Sequence, residues 1–228
     1  MNVWQRLRLA RARRASRLPL QQRLLQQASL PSPGARVREL ELIALDFETT
    51  GLDAQRDHVI AAGWVRIVGD RIVLASAREL RVRTNRPEGV GQSAVIHGIL
   101  DSDLDDGVDA RTLVETLLPD LGGRVVVAHA ARIERAFLGR LLRGLGGVPV
   151  PNAFLDTMSI ERRLLEAGGV RPREQHDDLS LDACRRRRGL PGHAHHSAAA
   201  DAVACAELLL AQLAHFGAAG HVRLSDLR

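Results

Sequence analysis

With 228 residues the chain has room for one domain with a sizeable core and an appendage, and its formal net charge of +5 conceals how differently the two are charged. Residues 1–38 carry nine Arg and no acid, whereas the remainder sets 23 Arg against 27 acids; there is no Lys and no Tyr, a bias that fits a GC-rich coding sequence. The tail has no apolar run long enough for a signal-peptide core or a membrane span, which excludes both and points to the cytoplasm, although an acid-free, Arg-rich start also suits a mitochondrial transit peptide in a eukaryotic source.

The first predicted element is a helix over about 3–28. Pro31-Ser32-Pro33-Gly34 cannot continue it and reads as a linker. Residues 1–37 are therefore a basic helical extension with its linker, and 38–228 the folded domain. Three β-rich stretches follow at about 41–48, 59–68 and 72–82, the last two joined as a hairpin across Gly69-Asp70. Helical patterns at about 110–121, 130–145, 157–167, 180–188 and 198–216 alternate with short strands at 124–128 and 153–155. A hairpin followed by βαβ units predicts an α/β fold, a mixed five-stranded sheet with helices on both faces. Cys184 and Cys205 have no CxxC or zinc spacing and read as small buried apolar residues in a reducing compartment. The four cations at 185–188 splay around a helix and read as a solvated face. Gln212-Leu213-Ala214-His215-Phe216 faintly echoes a sliding-clamp-binding pentapeptide but falls in the last helix, where it reads as core.

Asp46 and Glu48 end the apolar run of the first strand. On an extended strand, positions i and i+2 share a face, so both carboxylates enter one space. Two like charges there repel and are expensive to desolvate unless a cation pairs them. No Cys or His stands at ligand spacing, so the pair suits Mg²⁺ or Mn²⁺ rather than zinc. The alternative is an Asp capping the Thr49-Thr50-Gly51 turn beside a solvent-exposed Glu48. Downstream, His196 precedes an Ala/Leu-rich helix that carries Asp201, and Glu134 lies at the edge of a helical stripe of Ile133, Phe137, Leu141 and Leu145. Taken alone, His196 reads as a loop histidine crowded by His193 and His195, and Glu134 as a surface partner of Arg135.

Together these residues resemble a known family. Asp46-x-Glu48-Thr49-Thr50-Gly51-Leu52, then Ala128-His129-Ala130-Ala131-x-x-Glu134-x-x-Phe137-Leu138, then His196-x4-Asp201 are similar to the three motifs of the DEDDh 3′-5′ exonucleases, the group that includes the proofreading epsilon subunits of bacterial DNA polymerase III. The likeness covers about residues 38–226. His97-Gly98-Ile99, Asp156-Thr157 and Ser180-Leu181 agree with further landmarks of the group. The second motif usually reads His-Asn-Ala-x-Phe-Asp, and here Ala130, Ile133 and Glu134 replace its Asn, Phe and Asp.

The resemblance implies an RNase H-like fold and a two-metal phosphodiesterase using Mg²⁺ or Mn²⁺. It implies Asp46, Glu48, Glu134 and Asp201 as metal ligands and His196 as general base. It also implies Thr49, Thr50, Gly51, Leu52, His97 and Ile99 as substrate contacts. The expected activity is removal of nucleoside 5′-monophosphates from a DNA 3′ end, single-stranded in preference. An RNase trimming short RNA or RNA 3′ ends, or a catalytically silent nucleic-acid-binding subunit, are the alternatives. Expected partners are nucleic acid 3′ ends and a polymerase or other replication or repair protein, with no membrane. Only 27 residues follow Asp201, which favours a free-standing exonuclease over one with a polymerase-binding extension.

Overall fold

The computed structural model describes residues 1–83, 106–170, 179–193, 197–216 and 221–227. Its centre is β1 (Glu41–Thr49), flanked on one side by β2 (Val59–Val68) and β3 (Arg71–Arg81), all antiparallel, and on the other by β4 (Val125–Ala128) and β5 (Phe154–Asp156), both parallel. The strand order is β3-β2-β1-β4-β5, the mixed five-stranded sheet that the pattern predicts. Leu42 through Leu45 are at most 1% exposed because β1 is covered on both faces.

Alternation along β1 sorts its side chains into two cores. Ile43, Leu45 and Phe47 pack with Trp64 under α3 (Ala110–Leu121) and α4 (Arg132–Gly144), where Leu113, Leu117, Phe137 and Leu142 are buried. Leu42 and Ala44 face the opposite side, against α7 (Ala198–His215), with α5 (Thr157–Ala167) and α6 (Leu181–Arg187) beyond it. Asp46 and Glu48 continue that second register, so the strand delivers them to the α7 face. By length and composition α7 is apolar enough to cross a membrane, but Ala202, Cys205, Ala206, Leu209 and Leu213 are packed against the sheet.

Two expectations are corrected. The single helix over 3–28 is two, α1 (Val3–Ala15) and α2 (Pro19–Gln27), broken at Ser16-Arg17-Leu18. Pro19 has no N–H to continue α1 and holds Leu18 extended, and it serves instead as the first residue of α2. The pair docks on the body. Leu18 enters the α3–α4 core, Arg17 N–H donates to Gly146 O at 2.8 Å, and Gln21 both donates to Val148 O at 2.6 Å and accepts from Val148 N–H at 2.9 Å.

The second correction concerns 185–188, which is a solvated face only in part: Arg186 is exposed, but its neighbours have partners inside the fold. Arg185 is 2% exposed and donates to Ala204 O and Glu207. Arg187 and Arg188 converge on Glu161 of α5, itself 0% exposed. A short helix wedged against α5 and α7 draws its long cationic side chains inward wherever a buried carboxylate offsets them. Both cysteines are buried and free, and Gln212 is a core residue donating to Thr157 O and Glu161.

Candidate active site

Three elements bring acids to one place. Asp46 and Glu48 come from the carboxyl end of β1 and Asp201 from the first turn of α7; one carboxylate oxygen from each lies within 4.8 Å of the others. Glu48 is 5% exposed, which disposes of the solvent-exposed alternative. Asp46 is held well above the usual carboxylate range, first by burial and then by the charges of Glu134, Glu48, Asp201 and Glu79 in that order. Glu134 adds to that repulsion from a different element. It sits in the first turn of α4 and is 4% exposed, with Oε2 buried and without a hydrogen-bond partner. Burial, with a contribution from Asp156, pushes its pKa up to about 8. A surface pair with Arg135 is therefore ruled out by position.

Oxygen-only donors, mutual repulsion and a buried oxygen without a partner are what a hard divalent cation would relieve. The acids fit that group.

The backbone around them explains their aim. Asp46 lies directly opposite Gly63 of β2, and a Cβ on Gly63 would run into the carbonyl of Ala198 and the N–H of Ala199. Only glycine lets the start of α7 come so near the sheet, and Asp201 rides on that first turn. Ser197 caps α7, and Glu79 of β3 accepts from Ser197 Oγ at 2.6 Å and Ala199 N–H at 2.9 Å, an anion at the positive end of the helix. Neither Gly63 nor Glu79 is conspicuous in the sequence, where they read as a weak strand residue and a charge among arginines.

His129 is a peg rather than a reactant. Its Nε2 is 2.8 Å from the carbonyl of Leu179, which can only accept, so Nε2 carries the proton and Nδ1 accepts from Thr157 Oγ1 at 2.9 Å. Burial lowers its pKa and keeps the ring neutral. Next to it, Ala130 adopts φ +61° and donates its N–H to Asp156 Oδ1 at 3.0 Å, while Asp156 caps α5. This knot fixes where α4 begins, and with it Glu134.

The turn after Glu48 is equally tied. Thr49 Oγ1 donates to Gly51 O at 2.7 Å, Thr50 Oγ1 accepts from His58 N–H at 3.0 Å, and Gly51 lies against the Asp57 carboxylate, where a side chain would not fit. Leu52 stands 75% exposed at the tip. His97, Ile99 and His196 lie outside the described residues. The described histidine nearest the acids is His193, whose Nε2 is 2.6 Å from Asp201 Oδ1 and whose Nδ1 is 3.2 Å from Asp182 Oδ1. Its sequence surroundings suggest a solvated loop; its side chain is 10% exposed.

A family model described as exonuclease, of the RNase T type, matches residues 43–209 and so spans all four acids. Among curated proteins, the chain is 33% identical over 185 residues to a DNA polymerase III subunit epsilon-like protein of Rhodobacter capsulatus, covering 80% of this chain and 25% of that protein. It is 29% identical over 195 residues to the PolC-type DNA polymerase III of Thermotoga maritima, covering 81% of this chain and 13% of that protein. The chain therefore spans only a small part of that polymerase. With the DNA polymerase III subunit epsilon of Treponema pallidum the identity is 29% over 172 residues, and 75% and 76% of the two chains are covered. The fold is shared with Exonuclease X in complex with 5′-overhanging duplex DNA, at TM-score 0.59 and 24% identity over 82% of this chain and 98% of that one. It is shared too with Escherichia coli Exonuclease I bound to single-stranded DNA, at TM-score 0.66 and 12% identity over 79% and 42%. With the acids, the sheet and these relatives in agreement, the chain belongs to the RNase T-type exonuclease family.

Proposed function

We propose that the chain is a metal-dependent 3′-5′ exonuclease that hydrolyses phosphodiester bonds at DNA 3′ ends, single-stranded ones in preference, and releases nucleoside 5′-monophosphates. The observation that carries this reading is the meeting of three carboxylates from β1 and α7, with Glu134 of α4 raising the pKa of Asp46 and keeping a buried oxygen without a hydrogen-bond partner. Asp46, Glu48 and Asp201, on the nucleophile side, and Glu134, on the leaving-group side, would hold two divalent cations, Mg²⁺ or Mn²⁺. When bound, such a pair polarises the phosphodiester and lowers the pKa of the attacking water.

The chain's own groups do the rest. His196 is assigned as acceptor of the water's proton, since an imidazole titrating near neutrality suits that task. His193, with Nε2 2.6 Å from Asp201 Oδ1, holds that carboxylate in its orientation. Leu52, projecting from the tied turn of Thr49, Thr50 and Gly51, is assigned to the face of the terminal base, together with His97 and Ile99. The DNA-bound exonucleases that share the fold, and relatives named as polymerase III subunits, support DNA as substrate and a replication or repair setting in the cytoplasm.

Purified protein incubated with 5′-labelled DNA and RNA oligonucleotides, with Mn²⁺ or with EDTA, tests the reading. Expected are DNA ladders with Mn²⁺ that EDTA abolishes and that Asp201→Ala reduces below a tenth of the wild-type rate. Ladders on RNA alone would replace the substrate, and no ladders on either would leave a silent binding subunit.

A further inference from the structure

The surface feature that the acid site does not account for is the N-terminal helix. Arg13 is used internally: its guanidinium donates to the carbonyls of Leu25, Gln26 and Ala28 and closes the end of α2. The buried face of α1, through Gln5, Leu9 and Ala12, holds the helix pair together. A second stripe runs beside that face. At about 100° per residue, Trp4, Arg8, Arg11 and Ala15 fall within roughly 60° of one another on α1. Trp4 is 73% exposed, which is unusual for so large an apolar side chain and marks a contact surface.

Arg8, Arg11 and Ala15 form one wall of a groove of about 300 Å³. Segment 148–151 is its floor, and Arg135, in the first turn of α4, closes the far side. No acid lines it among the described residues. Arg135 follows Glu134 directly, so one helix turn presents a carboxylate to the acid site and a guanidinium to this groove. The Arg135 side chain leans over Phe154, 5.6 Å from the ring centroid, which fixes its cation at the groove edge.

We propose that this groove is a second binding site for single-stranded nucleic acid, holding the strand upstream of the 3′ end: Arg11 and Arg135 grip phosphates, and a base stacks on Trp4. The inference rests on the exonuclease reading for its direction, and on charge and shape for its occupant. An exposed aromatic heading a row of guanidiniums, beside a groove that no acid lines among the described residues, is the combination that binds single strands without sequence preference. A membrane surface fits less well, because the stripe faces a concave, proline-floored groove and the larger apolar face of α1 is already spent on α2.

The chain supplies its own reporter. Trp64 is fully buried and donates to Asp120, so only Trp4 is open to quenching by a base. Fluorescence and anisotropy titrations in EDTA would use four- and sixteen-nucleotide oligothymidylates. Vesicles of equal parts phosphatidylcholine and phosphatidylglycerol form a separate arm. The sixteen-mer is expected to quench Trp4 and to bind about tenfold more tightly than the four-mer, in line with one stacked base. Trp4→Ala should reduce that difference and remove the quenching, and Arg11→Gln with Arg135→Gln should lower the log-log salt slope by about 0.7 for each phosphate no longer neutralised.

Variants that bind the sixteen-mer as wild type does, or quenching by vesicles and not by oligonucleotide, would overturn the groove. Adding Mn²⁺ to wild-type protein separates the two readings. A sixteen-mer bound through these residues yet left intact keeps the groove and removes the nuclease. A sixteen-mer degraded with no length-dependent binding does the opposite.

Discussion

The backbone of Ala198 crosses Gly63 so closely that no side chain fits between them. Because Gly63 faces Asp46 across the β1–β2 ladder, the same crossing sets the distance between the strand acids and Asp201, three residues into α7. Gly63→Ala must lift the helix start, and the helix cannot simply slide, since Glu79 holds Ser197 and Ala199. The variant is expected to fold, with α7 still buried along the rest of its length, but to lose at least tenfold in Mn²⁺ affinity and more in turnover. Calorimetric titration of Mn²⁺ against wild type and variant checks it. Unchanged affinity would mean that Asp201 is not placed by this crossing.

Ala130 occupies the left-handed region, where a Cβ meets the following carbonyl oxygen at roughly 1–2 kcal/mol. Asn tolerates that conformation because its side chain can bond locally, and Asn is what the family usually carries there. Ala130→Asn is therefore expected to stabilise the protein by about 0.5–1 kcal/mol, a rise in Tm of roughly 1–4 °C for a chain of this size. Thermal denaturation decides it, and a fall in Tm would show that the Asp156 bond to the Ala130 N–H already offsets the strain.

Much of this was legible because the chemistry of the site is carried by local pattern. Asp46 and Glu48 announce themselves as charges at the end of an apolar strand, and every strand of the sheet has period or β-branched content enough to be seen. Glu134 was legible only through its company: its burial comes from the knot of Ala130, His129 and Asp156, which joins residues far apart in the sequence. Gly63 was missed because a close approach needs the partner helix to be visible, and Glu79 because capping across elements leaves no spacing. Arg185, Arg187 and Arg188 misled for the opposite reason. A run of like charges suggests solvent until the buried Glu161 that gathers them is known.

Glu161 carries the next prediction. It accepts from Arg187, Arg188 and Gln212 while fully buried. Burial alone would raise its pKa, but the bonds from Arg188, Gln212 and Arg187 outweigh it and the net shift is downward. A lowered carboxyl stabilises the fold above its unfolded pKa and loses that contribution as pH falls through the folded value. Glu161→Gln leaves two guanidiniums without their shared counter-charge and should cost about 3 kcal/mol, the low end for a broken buried pair because Arg187 is 31% exposed. Urea denaturation at neutral and acid pH tests both parts: the deficit is large at neutral pH and shrinks in acid. A deficit that stays constant would assign the effect to packing instead.

Glu134 titrates the other way. Without metal its pKa is pushed up from 4.5 to about 8, chiefly by burial, so the folded chain binds this proton more tightly than the unfolded chain does. The stability this contributes is complete below about 4.5 and is lost as pH rises through about 8. Asp46, also raised, adds a slope of the same sign. In EDTA, then, wild-type protein should lose stability steadily between those two values, and Glu134→Gln, neutral throughout, should flatten part of that slope. Mn²⁺ should restore wild type toward alkaline pH but do less for the variant, because the cation takes the place of the proton only where a charge remains to hold it. Turnover supplies the second measurement. An exposed ion-pair residue would tolerate Gln, since such pairs are worth roughly 0–1 kcal/mol. A carboxylate holding charge against the leaving oxygen would not, and Glu134→Gln is expected to lose orders of magnitude in rate. Glu134→Asp, one methylene short, should fall between them and recover in part with Mn²⁺, whose coordination is looser than that of Mg²⁺. A Gln variant with the wild-type pH slope and full activity would remove Glu134 from the site and leave Asp46, Glu48 and Asp201 as a three-acid centre.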